Sequence, residues 1–379
     1  MKGKTCTFRV SPEIDKFFTK QILSQPSTPV RLAPTMGKRL FHRLLITSVS
    51  LIALILPLAA AGQVAGQVKD RPDSLGTISA QRISCPNSGL VGTDCYALQV
   101  SCPEIQDYTV YLKTFAPSGN PVGTVTLTQG GTSIALYEDY DFGTVTLDNL
   151  RSAGFLSVEI TFGKPFNNFE QGWQTSTRGT GVRTASCRYA TVTAWIKRNL
   201  APAIPLCAAG VSAGSQQIAE GLSHYGLGEY LTFAELASGP PFNRTDEACI
   251  NGGQHEVEYC SGSFIGMQVT LNDARQYIDP AYPGSWCSTD LRSNRNDHEA
   301  QFFADSVTSQ DAELNYPSTN VWFLYGGLDT SAAINQGENY RSQIRSTNRV
   351  GCVQDAPHLI PDSISGAQQI ASDMIAQCR

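Results

Sequence analysis

One short stretch constrains this chain more than any other. Residues 204–209 (Ile-Pro-Leu-Cys-Ala-Ala) form an apolar run of strand character. They lead directly into Gly210-Val211-Ser212-Ala213-Gly214, and a helical stretch over about 213–225 follows. A strand that passes through G-x-S-x-G into a helix must turn within a few residues. The turn pushes the serine side chain out at the top of a sheet. Gly210 and Gly214 suit that turn because a Cβ at either position would collide with a neighbouring strand or helix. The plainer alternative is a turn of small residues with an idle serine. The apolar strand before it and the helix after it argue against that.

The surrounding order is regular. Residues 95–102, 107–115 and 123–127 read as strands, with Gln129-Gly130-Gly131-Thr132 just past the third. A helical stretch near 145–153 precedes a strand at 155–162, and Tyr189, Val192, Trp195, Ile196 and Leu200 recur at helical spacing. Strands at 231–237, 321–325 and 348–353 alternate with helices at 331–343 and around Ala367 to Ile375. Strands alternating with helices of this length imply βαβ units and a mostly parallel sheet with helices on both faces. Residues 240–317 break the pattern. They are rich in Asn, Gly, Ser and Asp and hold three Cys. A structureless insert of that size is improbable in a compact fold. It reads as a cap above the sheet, placed to influence substrate choice, against the plainer reading of a decorative surface insertion.

Strand, elbow and helix together resemble the α/β-hydrolase superfamily, and the Ser-Ala-Gly ending is similar to that of carboxylesterases and lipases. The resemblance covers roughly residues 105–240 and 318–378. It implies an α/β fold with a cap insertion and a nucleophile, acid and base in the chain order Ser, acid, His. Ser212 is then the nucleophile. Asp329, in Phe-Leu-Tyr-Gly-Gly-Leu-Asp-Thr just past a strand, takes the acid's place, with Asp355 and Asp246 as rivals. His358, in Asp-Ala-Pro-His-Leu-Ile-Pro, takes the base's place. His224 lies late in the helix after Ser212, and His255 and His298 lie in the insert. The resemblance also implies an oxyanion hole from the Ala213 amide and a second amide at Gly131 or Thr132. Here Gln129 stands where the family has His in its His-Gly-Gly loop. The chemistry needs these residue types. A serine hydroxyl is a poor nucleophile until a base takes its proton, imidazole can do so near neutral pH, and a carboxylate holds the right tautomer. The expected activity is hydrolysis of small-molecule or polymeric carboxylic esters. A peptidase or amidase of the same mechanism and a non-catalytic binding protein are the alternatives. Trp173, Trp286 and Trp322 are left unassigned, since Trp is more often core.

The amino-terminal end reads as an export leader. Lys38, Arg39 and Arg43 precede an apolar run from Leu44 to Leu58, and Ala59-Ala60-Ala61 offers a cleavage site. That order marks a secretory signal peptide; a membrane anchor is the alternative, for which the run is borderline in length. Met36 has the place of a start residue. The expected organisation is a leader at 1–61, an amino-terminal arm with disulfide-linked strands at 62–104 that begins as a loose segment, and a hydrolase domain at 105–379. Ten of the eleven Cys follow the leader, and an even, high count in an exported chain reads as disulfides, with buried free thiols as the alternative. Cys352–Cys378 is the expected pair, tying the last strand to the last helix, and Cys207, in a buried strand, is expected to be unpaired. No CxxC, HExxH or Cys/His spacing suggests a metal, and Asp139-x-Asp141-x-Gly143 lacks the later ligands of a calcium loop. No cofactor is expected. The whole chain has 28 basic and 33 acidic residues. Without the leader's nine basic and two acidic residues, 19 and 31 remain, a net charge of −12. Such a surface argues against nucleic acid and against anionic membranes.

Overall fold

The computed structural model describes residues 73–379, except 88, 168–170, 251–255, 261 and 266–268. The leader, its cleavage site and Met36 lie outside the described residues. The main sheet runs β1 (Thr77–Ile83), β2 (Asp94–Ser101), β3 (Tyr108–Phe115), β5 (Phe155–Thr161), β4 (Gly123–Thr128), β6 (Leu206–Val211), β7 (Phe233–Ala237), β10 (Asn320–Gly326) and β11 (Asn348–Val353), in that spatial order. β1, β2, β3 and β5 pair antiparallel. From β5 through β4, β6, β7 and β10 to β11 every pairing is parallel. β6, which carries the elbow, therefore sits inside the parallel half, where βαβ crossovers put helices on both faces.

The period-2 alternation of the strands sorts the core into two layers. Val125, Leu127, Ala209 and Val211 face one side, where they meet Leu147 and Leu150 of α1 (Gly143–Ser152) and Ile370 and Met374 of α9 (Ile364–Gln377). Leu206, Ala208, Ala234 and Leu236 face the other, against α2 (Val182–Asn199), α3 (Ala213–Tyr225) and α8 (Ala333–Gln343). β1 is a correction to the sequence reading, which had that stretch loose. It is an edge strand with mostly exposed side chains, so no hydrophobic alternation announced it. Its partner β2 supplies the pattern, and its backbone supplies the ladder.

The insert holds α4 (Thr245–Ile250), the antiparallel pair β8 (Glu256–Tyr259) and β9 (Gly262–Ile265), α5 (Leu271–Asp273), which widens into a π turn over Ala274–Ile278, α6 (Trp286–Ser293) and α7 (Glu299–Ala304). It is fastened to α3 by buried polar groups. Gln216 accepts from the Phe242 amide and donates to the Phe242 carbonyl and to Glu220. His224 Nε2 lies 3.0 Å from the Ser306 carbonyl. Burial pushes His224 down to about 3, so the ring is neutral and donates that bond. Burial likewise pushes Glu220 up to about 8, against the opposing hydrogen bond from Gln216. The unfolded carboxyl loses its proton near 4.5 while the folded one keeps it, so stability falls as pH rises from there to about 8. Glu220→Gln should remove that component, and the drop in Tm between pH 5 and pH 8 should be smaller than in the parent chain. An unchanged drop would refute the assignment.

Five disulfides join the described residues: Cys85–Cys95, Cys102–Cys187, Cys207–Cys378, Cys249–Cys287 and Cys260–Cys352. The expected Cys352–Cys378 pair and the unpaired Cys207 are both wrong. Strand alternation is the reason. Val353 faces α9, where it packs with Ile370 and Met374, so its neighbour Cys352 points away from that helix. Cys352 bonds Cys260 of the insert instead. Cys207 faces the same layer as α9 and meets Cys378 at the helix's end. A loop of 171 residues closed this way is worth about 5 kcal/mol in the chain-entropy model. Replacing both cysteines by Ala should lower the folding free energy by several kcal/mol, read as a fall in the denaturant midpoint. Equal midpoints would show that the bridge contributes nothing.

Candidate active site

The elbow is built as its glycines require. A Cβ on Gly210 would lie 2.4 Å from the backbone of Gly214, and one on Gly214 would lie 2.5 Å from the Thr128 carbonyl. Ser212 sits at φ 53°, ψ −116°, outside the ordinary range for a residue with a side chain. The ends of this turn hold it there. The Ser212 amide donates to the Ala237 carbonyl at 2.7 Å, and the Ser212 carbonyl accepts from the Gln216 amide and from Ser215 Oγ.

Asp329 and His358 are brought together by two nested loops. The chain leaves β10 through Gly326-Gly327, and a Cβ on Gly326 would lie 2.2 Å from the Pro357 carbonyl. Gly327 donates to the Val353 carbonyl and Leu328 to that of Ala356. Only a backbone without side chains there lets the two loops close on each other. The result is a continuous chain of bonds. His358 Nε2 lies 2.9 Å from Ser212 Oγ, and His358 Nδ1 lies 2.9 Å from Asp329 Oδ2. Asp329 is buried, and the His358 side chain is about one-third exposed. Burial acts to raise the Asp329 carboxyl. The hydrogen bond and charge of His358, with the Ser331 amide on the other oxygen, outweigh it and hold the group below the usual carboxylate range. The rival acids are engaged elsewhere: Asp355 accepts from Ser365 at 2.6 Å, and Asp246 pairs with Arg244.

Ser212 opens into a cavity of about 390 Å³ lined by mostly apolar surface. Ala213 and Gly131 both line it; Thr132 does not. Gly131 adopts φ +59°, a conformation glycine takes without strain. Its neighbour Gly130 packs against Ser212, where an added Cβ would lie 3.1 Å from the serine Cβ, and its amide donates to Tyr140 Oη at 2.8 Å. Trp173 is core, and its indole donates to the Gly131 carbonyl, which fixes the loop. The Ala213 amide opens α3, where the helix dipole favours negative charge.

Strand order, elbow and the succession of serine, acid and histidine after the parallel strands β6, β10 and β11 decide the architecture. The fold is that of an α/β-hydrolase. No family model matches the chain, and no curated protein matches it. Among solved structures it is similar to dienelactone hydrolase from Anabaena variabilis ATCC 29413, at 14% identity and TM-score 0.42, over 75% of this chain and 98% of that one. It is similar to Est1E from Butyrivibrio proteoclasticus at 12% identity and TM-score 0.43, over 74% and 98%. A cold-adapted esterase from an Arctic intertidal metagenomic library aligns at 11% identity and TM-score 0.40, over 78% and 100%. At such identities, the chain's own sheet order and site geometry are what define the α/β-hydrolase fold here.

The site contains residues the sequence did not announce. Ser331, two residues past Asp329, lies 3.1 Å from His358 Nδ1 and accepts from the Ala333 amide. Pro241, Phe242, Val269, Asp273 and Tyr277 of the insert line the cavity. A short polar residue so close after the acid was a signal for Ser331. The insert residues had none, because their approach to Ser212 depends on how the insert folds back.

Proposed function

We propose that this chain is a serine hydrolase acting on carboxylic esters through an acyl-enzyme. The bonded series Ser212–His358–Asp329 opening into an apolar cavity supports that reading most strongly. In the first step His358 Nε2 takes the Ser212 proton as Oγ bonds to the ester carbonyl carbon. The carbonyl electrons move onto oxygen, facing the Ala213 and Gly131 amides. Collapse breaks the bond to the alcohol, which leaves with the proton from His358. Water then repeats the sequence: His358 accepts its proton, hydroxide adds to the acyl carbon, and Ser212 departs reprotonated. Asp329 keeps the imidazole in the tautomer with its proton on Nδ1 and stabilises the imidazolium between these steps.

A fluorophosphonate probe should label the protein at Ser212, and a panel of p-nitrophenyl esters beside peptide amides should show turnover of the esters. Labelling with turnover of peptides alone would replace the ester reading by a peptidase. Absence of labelling and of turnover would reduce the fold to a binding role. Export is part of the proposal. Five disulfides support an oxidising compartment, and the leader pattern supports cleavage after Ala61. The amino-terminal sequence of the exported chain checks it; a mature chain that begins before Met36 would contradict it.

A further inference from the structure

The cavity beside Ser212 has a lopsided charge. Among the described residues that line it, Asp273 is the one carboxylate, and there is no Lys or Arg. Most of the remaining wall is apolar, from Pro241, Phe242, Val269 and Leu359. Asp273 is held in place. Its Oδ2 accepts from the Thr270 amide at 2.9 Å and from Thr270 Oγ at 2.7 Å, while Thr270 Oγ accepts from the Asp273 amide. This reciprocal cap fixes the carboxylate at the end of the short α5, just before the π turn, on the insert's side of the cavity. The nearest basic residue along this element is Arg275, exposed and two positions on, which puts it on a different helical face.

One turn further, Tyr277 lies over Gly131. A Cβ built on that glycine would be 3.5 Å from Tyr277 Cε1 and 3.9 Å from Oη. Burial and then the charge of Asp273 raise the phenol above its ordinary range, so it is a neutral hydrogen-bond donor. Among the described residues that line the cavity, the insert thus presents a fixed negative charge and a neutral donor, and no Lys or Arg for an anionic group to meet. A cavity of 390 Å³ is about 9 Å across if roughly spherical, close to a Debye length of about 8 Å at physiological salt. A charge on a substrate inside it would be screened only in part.

We infer that the insert sorts substrates by charge: the site takes uncharged or cationic esters and turns away esters that carry a carboxylate close to the scissile bond. This rests on the hydrolase reading above. The test compares kcat/KM for p-nitrophenyl butyrate and mono-p-nitrophenyl succinate, which differ by a terminal carboxylate, each after subtraction of its enzyme-free rate, because the succinate carboxylate also cleaves its own aryl ester. The parent chain should favour the butyrate by about five- to tenfold, as expected for one partly screened like-charge contact. Asp273→Asn retains an oxygen for the Thr270 amide and should narrow that preference several-fold, mainly through KM for the succinate. Asp273→Ser should move the ratio in the same direction. Added salt should narrow the ratio in the parent chain and leave it flat in either variant. A ratio that neither substitution nor salt moves overturns the inference while the hydrolase reading stands. A chain that turns over neither ester overturns both.

Discussion

Ser212→Ala should lower kcat by about six orders of magnitude while leaving the chain folded, and His358→Ala should cost nearly as much. In the proposed mechanism the two side chains carry out one proton transfer across the 2.9 Å bond between Oγ and Nε2, so removing either end would stop it. Alanine at 212 is a sound test of chemistry, because the strained backbone there is held by the Ala237 carbonyl and by Gln216, not by the hydroxyl. The double variant should be little worse than the worse single one, since the residual rate comes from binding and the backbone amides. Near-unity circular dichroism overlays would establish folding. Ser212→Ala retaining parental turnover would end the serine hydrolase reading.

Asp329→Asn should reduce turnover by up to about four orders of magnitude. The geometry fixes the reason. Asp329 Oδ1 accepts from the Ser331 amide, so an asparagine must place its oxygen there. Its NH₂ then faces His358 Nδ1, where the carboxylate stood 2.9 Å away. Nδ1 must accept, the ring proton moves to Nε2, and Nε2 can no longer take the proton of Ser212. The rival carboxylates predict the opposite. Asp355 bonds Ser365 and Asp246 pairs with Arg244, so Asp355→Asn and Asp246→Asn should keep turnover near the parent level in the folded fraction. Loss of activity in either of those, with Asp329→Asn near parental, would reassign the acid. The depressed carboxyl of Asp329 also contributes to stability. That contribution is present above the unfolded-state pKa and is lost as pH falls through the folded one.

The parts of this protein legible in its sequence are those fixed by local sterics and by chain order. Gly210 and Gly214 announced the elbow because their spacing around Ser212 is local, although the collisions a Cβ would cause reach from the turn itself to Thr128 on the neighbouring strand. The alternating strands and helices announced the parallel half of the sheet, because period 2 and period 3.6 are properties of neighbours along the chain. Asp329 and His358 could be named because the family resemblance implied an acid and then a histidine just past later strands, and parallel strands deliver such ends to one edge. β1 escaped because an exposed edge strand carries no apolar alternation, and its pairing with β2 is decided by backbone ladders. The disulfides escaped because partner choice depends on which face of a strand a helix covers. Cys207 and Cys378 are separated by 171 residues yet share one layer, whereas Cys352 faces away from that layer. The wall made by Asp273 and Tyr277 escaped for the same kind of reason. The sequence by itself determined the elbow, the order of the three site residues and the sheet that aligns them. Only the tertiary structure decided which cysteines meet and which insert side chains face Ser212, because both depend on the three-dimensional closing of segments far apart in sequence.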